Sequence, residues 1–291
     1  MSYTSVIKQS GSIPSTDQNE IQYDLYYPSV SVPETFPILL FLHGLKGFKD
    51  WGPIPDACED LSRAGFAVLA FNASHSGVTS PSGEIDREDL FKTMTISQDI
   101  ADVGSVIKAL KEGDITTNRI ILDAEKLGII GHSRGGHHAI VSSAEFPEIQ
   151  ALVSWSAVAD FTELWDESMI SSWQKGKDVE IENARTGQKL KVGPDGYQDL
   201  IDKPRRLTAM NRVKELHLPS LFIAGKQDET VPISHTEHLF RACPSDQKEL
   251  RLIPDTGHTF GAEHPFTDSD YPPHFSEVIE YTESWFLEHL R

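Results

Sequence analysis

Five short and almost continuous apolar runs restrict the fold of this chain more than any other feature. They read PILLFLHG (37–44), FAVLAFN (66–72), KLGIIGHS (126–133), ALVSWSAV (151–158) and SLFIAGKQD (220–228). Short runs rich in β-branched and aromatic residues are typical of strands that are buried on both faces. Such strands form parallel sheets that helices cover on both sides, so the runs predict an α/β fold.

Segments with helical periodicity lie between the apolar runs. In the clearest of them, TISQDIADVGSVIKALKEG (95–113), the apolar residues form one stripe at helical spacing. Three further segments with helical signals read IPDACEDLSRAG (54–65), RGGHHAIVSSAEFP (134–147) and FSEVIEYTESWFLEHLR (275–291). This alternation predicts a mostly parallel central sheet, with the N-terminal pieces 3–10 and 21–28 paired at its edge.

Residues 161–212 interrupt the alternation because they are longer than a usual connection between two core strands. FTELWDESMISSWQKG (161–176) is predicted to be helical, and VEIENARTGQKLKVG (179–193) is predicted to form a hairpin about a Thr-Gly turn. We expect one domain over residues 1–291, in which 161–212 forms a small helix-plus-hairpin cap over one end of the sheet. The alternative is an insertion that lies far from any functional site.

The composition limits the partners that we expect. A formal net charge of −18 and a pI near 5.0 disfavour binding to nucleic acid. No apolar run approaches the roughly 18 residues that cross a bilayer, and the first residues do not resemble a secretory signal. The two cysteines, Cys58 and Cys243, have neither disulfide-framework nor metal-site spacing, so we expect a cytoplasmic protein without a bound metal.

Residues Gly131 to Gly135 match the pattern G-x-S-x-G, with Ser133 at its centre. The pattern alone is weak, but here it follows a buried strand and precedes a helix, as a nucleophile elbow requires. Glycines are needed there because the strand and the helix cross closely, and the helix N-terminus favours developing negative charge. The context predicts that Ser133 is a nucleophile.

A serine hydroxyl needs an adjacent base, and on this kind of sheet the acid and then the histidine follow the serine along the chain. Asp228 follows the run SLFIAGK, and His258 follows the strand-like ELRLIP. We therefore predict a triad of Ser133, His258 as base and Asp228 as orienting acid. Asp160, at the end of the run ALVSWSAVAD, is the alternative acid, and His132 is expected to point away from the site.

Two backbone N–H groups are candidates to hold the oxyanion of the tetrahedral intermediate. One belongs to Arg134, directly after the nucleophile, and the other to Leu45 in the glycine-rich loop FLHGLKG. His43 is expected to brace that loop. His75, Trp165 and Trp173 are candidate substrate contacts, although core packing explains each tryptophan equally well.

The segments HGLKG, GHSRGG, GKQDETVP and DTGHTF occur in this order, and together they resemble the α/β-hydrolase superfamily from about residue 20 to the end. Within that superfamily, the chain is most similar to serine carboxylesterases of the dienelactone-hydrolase-like and feruloyl-esterase-like group. The similarity lies in the short HG-x-x-G loop and in the D-x-x-V-P segment that begins with the acid. The resemblance implies cleavage of carboxylic esters through an acyl-enzyme, without metal or cofactor. Dienelactone hydrolases proper use a cysteine where this chain has Ser133.

The predicted function is therefore that of a carboxylic ester hydrolase that acts on a small-molecule ester, with an aromatic acyl group as one candidate. One alternative is a small serine peptidase or amidase on the same fold. Another is a binding module that has lost catalysis, although all three triad residues are present. The fold and the triad leave the substrate open, because they serve many acyl donors.

Overall fold

The computed structural model describes residues 3–80 and 82–290. Its strands are β1 (Val6–Pro14), β2 (Glu20–Pro28), β3 (Thr35–Leu42), β4 (Ala67–Phe71), β5 (Ile121–His132), β6 (Ile149–Trp155), β7 (Val179–Asn183), β8 (Gln188–Val192), β9 (Ser220–Gly225) and β10 (Lys248–Ile253). Its helices are α1 (Ile54–Arg63), α2 (Glu88–Lys92), α3 (Ile96–Glu112), α4 (Arg134–Glu145), α5 (Glu167–Gln174), α6 (Asp195–Asp202), α7 (Pro204–Leu207), α8 (Ala209–Arg212), α9 (Ile233–Ala242) and α10 (Pro273–His289).

Eight of the described strands form one sheet in the order β1-β2-β4-β3-β5-β6-β9-β10. The pairs β1–β2 and β2–β4 are antiparallel, and every pair from β4 to β10 is parallel. The five apolar runs supply the parallel strands β3, β4, β5, β6 and β9, and the N-terminal strands pair at the edge. The predicted α/β fold with a mostly parallel sheet is confirmed.

The two faces of the sheet carry separate cores. Alternating residues of β3 divide between them, with Ile38 and Leu40 on one side and Leu39 and Phe41 on the other. Helices α3, α4 and α9 cover the first face, and α1 and α10 cover the second. The stripe of α3 predicted from the sequence is buried, and a capping box between Thr95 and Gln98 fixes the start of that helix.

The hairpin predicted within 161–212 is present as β7 and β8, with Gly187 in the left-handed region at the turn. The helix predicted from residue 161 begins only at Glu167, because the Asp166 side chain caps α5 by accepting a hydrogen bond from the Met169 N–H. A third, smaller core lies beneath the hairpin. It consists of Phe48, Val78, Ile85, Phe91, Met94 and Leu190.

Candidate active site

The turn between β5 and α4 holds Ser133 in a strained conformation, with φ 57° and ψ −117°. Such a backbone costs on the order of 1–3 kcal/mol and persists only where the surroundings enforce it. Here the Ser133 N–H donates to the Trp155 carbonyl at 2.8 Å. A Cβ on Gly131 would lie 2.1 Å from the Gly135 carbonyl oxygen, and a Cβ on Gly135 would lie 2.2 Å from that of Leu42. Both positions therefore require glycine.

Asp228 and His258 lie just beyond the carboxyl ends of β9 and β10 and bond to each other. The His258 Nδ1 lies 2.8 Å from Asp228 Oδ2, and Asp228 Oδ1 accepts hydrogen bonds from the backbone N–H groups of Thr230 and Val231 at 2.9 and 2.8 Å. Burial alone would raise the pKa of Asp228, but the hydrogen bonds from His258 and Val231 hold it below its usual value. The carboxylate is therefore ionised at neutral pH and fixed in orientation.

Asp160, the alternative acid, caps a short helical turn instead. Its Oδ1 accepts hydrogen bonds from the N–H and the hydroxyl of Thr162 at 2.9 and 2.7 Å. The hydrogen-bond partner of the His258 Nδ1 in the described residues is Asp228.

Two cavities border both Ser133 and His258. One has a volume of about 330 Å³ and contains Trp51 in its wall; we call it the Trp51 cavity. The other has a volume of about 430 Å³ and contains Trp165; we call it the Trp165 cavity. The lining of the Trp165 cavity is mainly aliphatic and aromatic, and it includes Trp173. The structure thus brings Trp165 and Trp173 together with the serine and the histidine.

The loop after β3 borders both cavities with Leu45 and Lys46. Among the described residues, no loop, turn or side-chain hydrogen bond uses the backbone N–H of Leu45 or that of Arg134. His43 braces the loop as predicted, because its Nδ1 lies 2.9 Å from the Gly44 carbonyl oxygen and its Nε2 accepts the Ala73 N–H at 3.2 Å. Burial lowers the pKa of His43, so the ring is neutral in this role.

His75 lies apart from these residues and lines neither cavity. Its buried ring is 3.0 Å from the Ser74 hydroxyl through Nδ1 and 3.2 Å from the Gln98 amide through Nε2. These contacts join the loop after β4 to the start of α3. The structure therefore does not bring His75 together with the other predicted substrate contacts.

His132 lies against the histidine of the candidate triad, and the expectation that it points away was wrong. The His132 Nε2 is 2.9 Å from the His258 carbonyl oxygen, and the two ring centres are 4.7 Å apart. Burial lowers the pKa of His132 to about 3, with a further contribution from His258, so this ring is neutral and donates from Nε2. The contact of His132 with the loop after β10 is a tertiary effect with no local signal.

A buried ionic group behind the serine was also missed by sequence reasoning. The Arg134 guanidinium lies 2.6 Å from Asp99 Oδ2, and the His138 Nε2 lies 2.8 Å from the same oxygen. Burial opposes ionisation of Asp99, but these neighbours lower its pKa to about 2. The group anchors the side chain of the residue that follows the nucleophile.

Within the described ranges, no helix is both long and apolar enough to span a membrane. The same residues contain no group of three or more histidine, cysteine or acidic side chains that could hold a metal ion.

A strained serine at the strand-to-helix turn of a mostly parallel sheet borders the same two cavities as a histidine bonded to an ionised aspartate. These features define a serine hydrolase with the α/β-hydrolase fold. The family model described as the prolyl oligopeptidase family matches residues 88–268, more than half of the chain, and the chain belongs to that family.

Known proteins agree with this class. The chain is 25% identical to the human protein named serine hydrolase BPHL over 237 residues, which cover 76% of this chain and 72% of that protein. A dienelactone hydrolase from Anabaena variabilis has a TM-score of 0.62 at 21% identity and covers 98% of this chain and 99% of its own. Est1E from Butyrivibrio proteoclasticus, solved with ferulic acid bound, has a TM-score of 0.67 at 20% identity, with coverages of 96% and 98%.

Proposed function

We propose that the protein cleaves carboxylic esters through an acyl-enzyme formed on Ser133. The observation that carries the proposal is the Asp228–His258 pair, joined at 2.8 Å and bordering the same two cavities as the strained serine. With Nδ1 donating to Asp228, the basic nitrogen of His258 is Nε2. That nitrogen takes the Ser133 proton as the hydroxyl attacks the ester carbonyl.

The tetrahedral intermediate then collapses as His258 returns the proton to the departing alcohol. Water then attacks the acyl carbonyl carbon while His258 takes its proton. The second tetrahedral intermediate collapses as His258 returns that proton to the Ser133 oxygen, which breaks the acyl bond and releases the acid. The Asp228 carboxylate stabilises the imidazolium that forms in each half of the cycle. The unused N–H groups of Leu45 and Arg134 are the proposed oxyanion donors, and the positive end of α4 adds to their effect.

Two observations favour an ester over a peptide, although the family name points to peptidases. A substrate with a free N-terminus carries an ammonium group, which a site recognises with carboxylates. Among the described residues, the linings of the two cavities include no aspartate or glutamate. The aromatic lining of the Trp165 cavity instead suits an apolar or aromatic group, and Est1E, a neighbour in fold, has been solved with ferulic acid.

We further propose a cytoplasmic location and a small-molecule ester as the partner. Both cysteines are buried and unpaired, as in proteins of reducing compartments. The segment 161–212 supplies walls to both cavities through the hairpin, Trp165 and Trp173, and we propose that it selects the substrate.

Replacement of Ser133 by alanine tests the function directly. We expect Ser133→Ala to fold and to lose nearly all hydrolysis of a p-nitrophenyl ester, and to resist labelling by a fluorophosphonate that modifies the natural protein stoichiometrically. Substantial residual turnover in the folded variant would contradict the assignment of the nucleophile. Faster cleavage of an aminoacyl anilide than of any simple ester by the natural protein would favour the peptidase alternative.

A further inference from the structure

Two basic side chains border the Trp51 cavity, and neither forms an ion pair with a carboxylate of the described residues. Lys46 lies in the loop after β3, and Arg185 lies in the turn between β7 and β8. The Lys46 Nζ donates to the Glu182 carbonyl at 3.0 Å, and the Arg185 Nη2 donates to the Gly83 carbonyl at 2.5 Å. Both acceptors are neutral backbone groups, so within residues 3–80 and 82–290 no acidic side chain in contact with them compensates the two positive charges.

Burial disfavours both charges, which makes their presence in the cavity costly. Burial lowers the pKa of Lys46, and it lowers the pKa of Arg185 although Glu84 acts in the opposite direction. The chain has 44 acidic residues and a net charge of −18, yet none of the described residues that line the Trp51 cavity is acidic. A negative ligand group would offset this cost, since opposite charges in a partly buried site stabilise each other.

Both side chains are held in place before any ligand arrives. The Lys46 backbone has φ 59°, in the left-handed region, where a non-glycine residue is uncommon, and its bond to Glu182 joins the loop to the hairpin. The Arg185 guanidinium lies over the Phe48 ring, 5.5 Å from its centre. Each side chain uses one donor in these contacts and retains others for a ligand. Such pre-organisation reduces the entropy lost on binding.

We propose that Lys46 and Arg185 form a subsite for a carboxylate carried by one arm of the ester substrate, while the Trp165 cavity takes an apolar or aromatic group on the other arm. This inference rests on the proposed ester hydrolysis at Ser133. The substrate class is then either a half-ester of a dicarboxylic acid or an ester of an alcohol that carries a carboxylate. The two members share the recognised group and differ in the arm that bears it.

Two matched substrate pairs test the subsite and identify the arm. Monoethyl adipate against ethyl hexanoate places the charge on the acyl arm, and 4-butyryloxybenzoate against phenyl butyrate places it on the alcohol arm. For one pair we expect kcat/KM to favour the charged member about tenfold, a typical effect of a desolvated charge pair. That preference should shrink as salt rises from 0.05 to 0.5 M, because salt screens the attraction.

Variants assign the preference to the two cations. Arg185→Gln and Lys46→Met should each lower the charged-to-neutral ratio of kcat/KM about tenfold, mainly through KM. The matched control is Lys191→Met, which removes the same charge from an exposed position of the same hairpin and should leave the ratio unchanged. Taking the ratio within each variant removes any general effect of a loosened hairpin on turnover.

A binding measurement separates this proposal from the proposed function. Adipate should bind to Ser133→Ala in a calorimeter, and the added Arg185→Gln change should weaken binding about tenfold. If neutral esters are cleaved but both ratios stay near one, or the charged esters are the poorer substrates, the subsite is wrong and ester hydrolysis stands. If no ester is cleaved while adipate binds in an Arg185-dependent way, ester hydrolysis is wrong, and carboxylate binding at Lys46 and Arg185 stands without the ester substrate class.

Discussion

Replacement of Asp228 by asparagine tests the acid of the triad, and the structure fixes what the new side chain must do. Asp228 Oδ1 accepts two backbone N–H groups, from Thr230 and Val231, while Oδ2 faces the His258 Nδ1. To keep the two backbone bonds, an asparagine must place its carbonyl oxygen at the Oδ1 position. Its NH₂ group then faces His258. The opposite orientation gives up two hydrogen bonds of about 1 kcal/mol each, so the first is favoured by about 2 kcal/mol.

The consequence for catalysis follows from the tautomer of His258. An NH₂ group cannot accept a hydrogen bond, so the Nδ1 must become the acceptor and the proton must move to Nε2. A ring protonated at Nε2 cannot take the proton of Ser133. We expect Asp228→Asn to lower kcat on the order of 10⁴-fold at neutral pH, with little change in KM.

The matched control is Asp160→Asn, which changes the alternative acid in the same way. Its Oδ1 accepts hydrogen bonds from Thr162, and an asparagine oxygen can accept them too, so kcat should stay within about twofold of the natural value. Both variants would be compared by steady-state hydrolysis of a p-nitrophenyl ester, with circular dichroism as the check on folding. More than a tenth of the natural kcat in folded Asp228→Asn, or a loss of similar size in Asp160→Asn, would refute the reasoning.

Two further predictions concern the elbow and a buried acid. Gly135→Ala places a Cβ 2.2 Å from the Leu42 carbonyl oxygen, so that carbonyl must move by about 1 Å to reach an ordinary contact distance. The shift reaches the loop of Leu45 and should lower kcat about 10²-fold. Gly104→Ala in α3 is the control, and an unchanged kcat in folded Gly135→Ala would contradict the prediction. Asp102 is buried, and burial together with Asp99 raises its pKa to about 8, so the contribution of Asp102 to stability falls as pH rises from about 4 to 8. Asp102→Asn should therefore raise Tm more at pH 8 than at pH 4. Equal increases in Tm at the two pH values would contradict the raised pKa of Asp102.

The local patterns of the sequence predict the sheet and the elbow well, because both depend on neighbours along the chain. A strand buried on both faces needs a continuous apolar run, and β3, β5 and β9 each have one. The elbow needs glycines at fixed offsets from the serine, and Gly131 and Gly135 stand there. The pairing of Asp228 with His258 follows from their places after adjacent parallel strands.

The features that sequence reading missed depend on contacts between distant segments. The Lys46 side chain meets the Glu182 carbonyl across 136 residues, and no periodicity reports such a contact. His132 and His258 meet in the same way, across 126 residues. The long polar loop makes His75 a candidate substrate contact, but its ring lies against Ser74 and against Gln98 at the start of α3.

The small core beneath the hairpin bears on how the protein responds to heat. Phe48 comes from the loop after β3 and Leu190 from β8, and four side chains from the segments between β4 and α3 join them. These side chains are separate from the two cores of the sheet, so the unit can open as a local foldon while the sheet stays intact. The wall of the Trp51 cavity and the loop that carries Lys46 would then melt together. We therefore expect activity to be lost on heating at a lower temperature than the temperature at which the sheet unfolds.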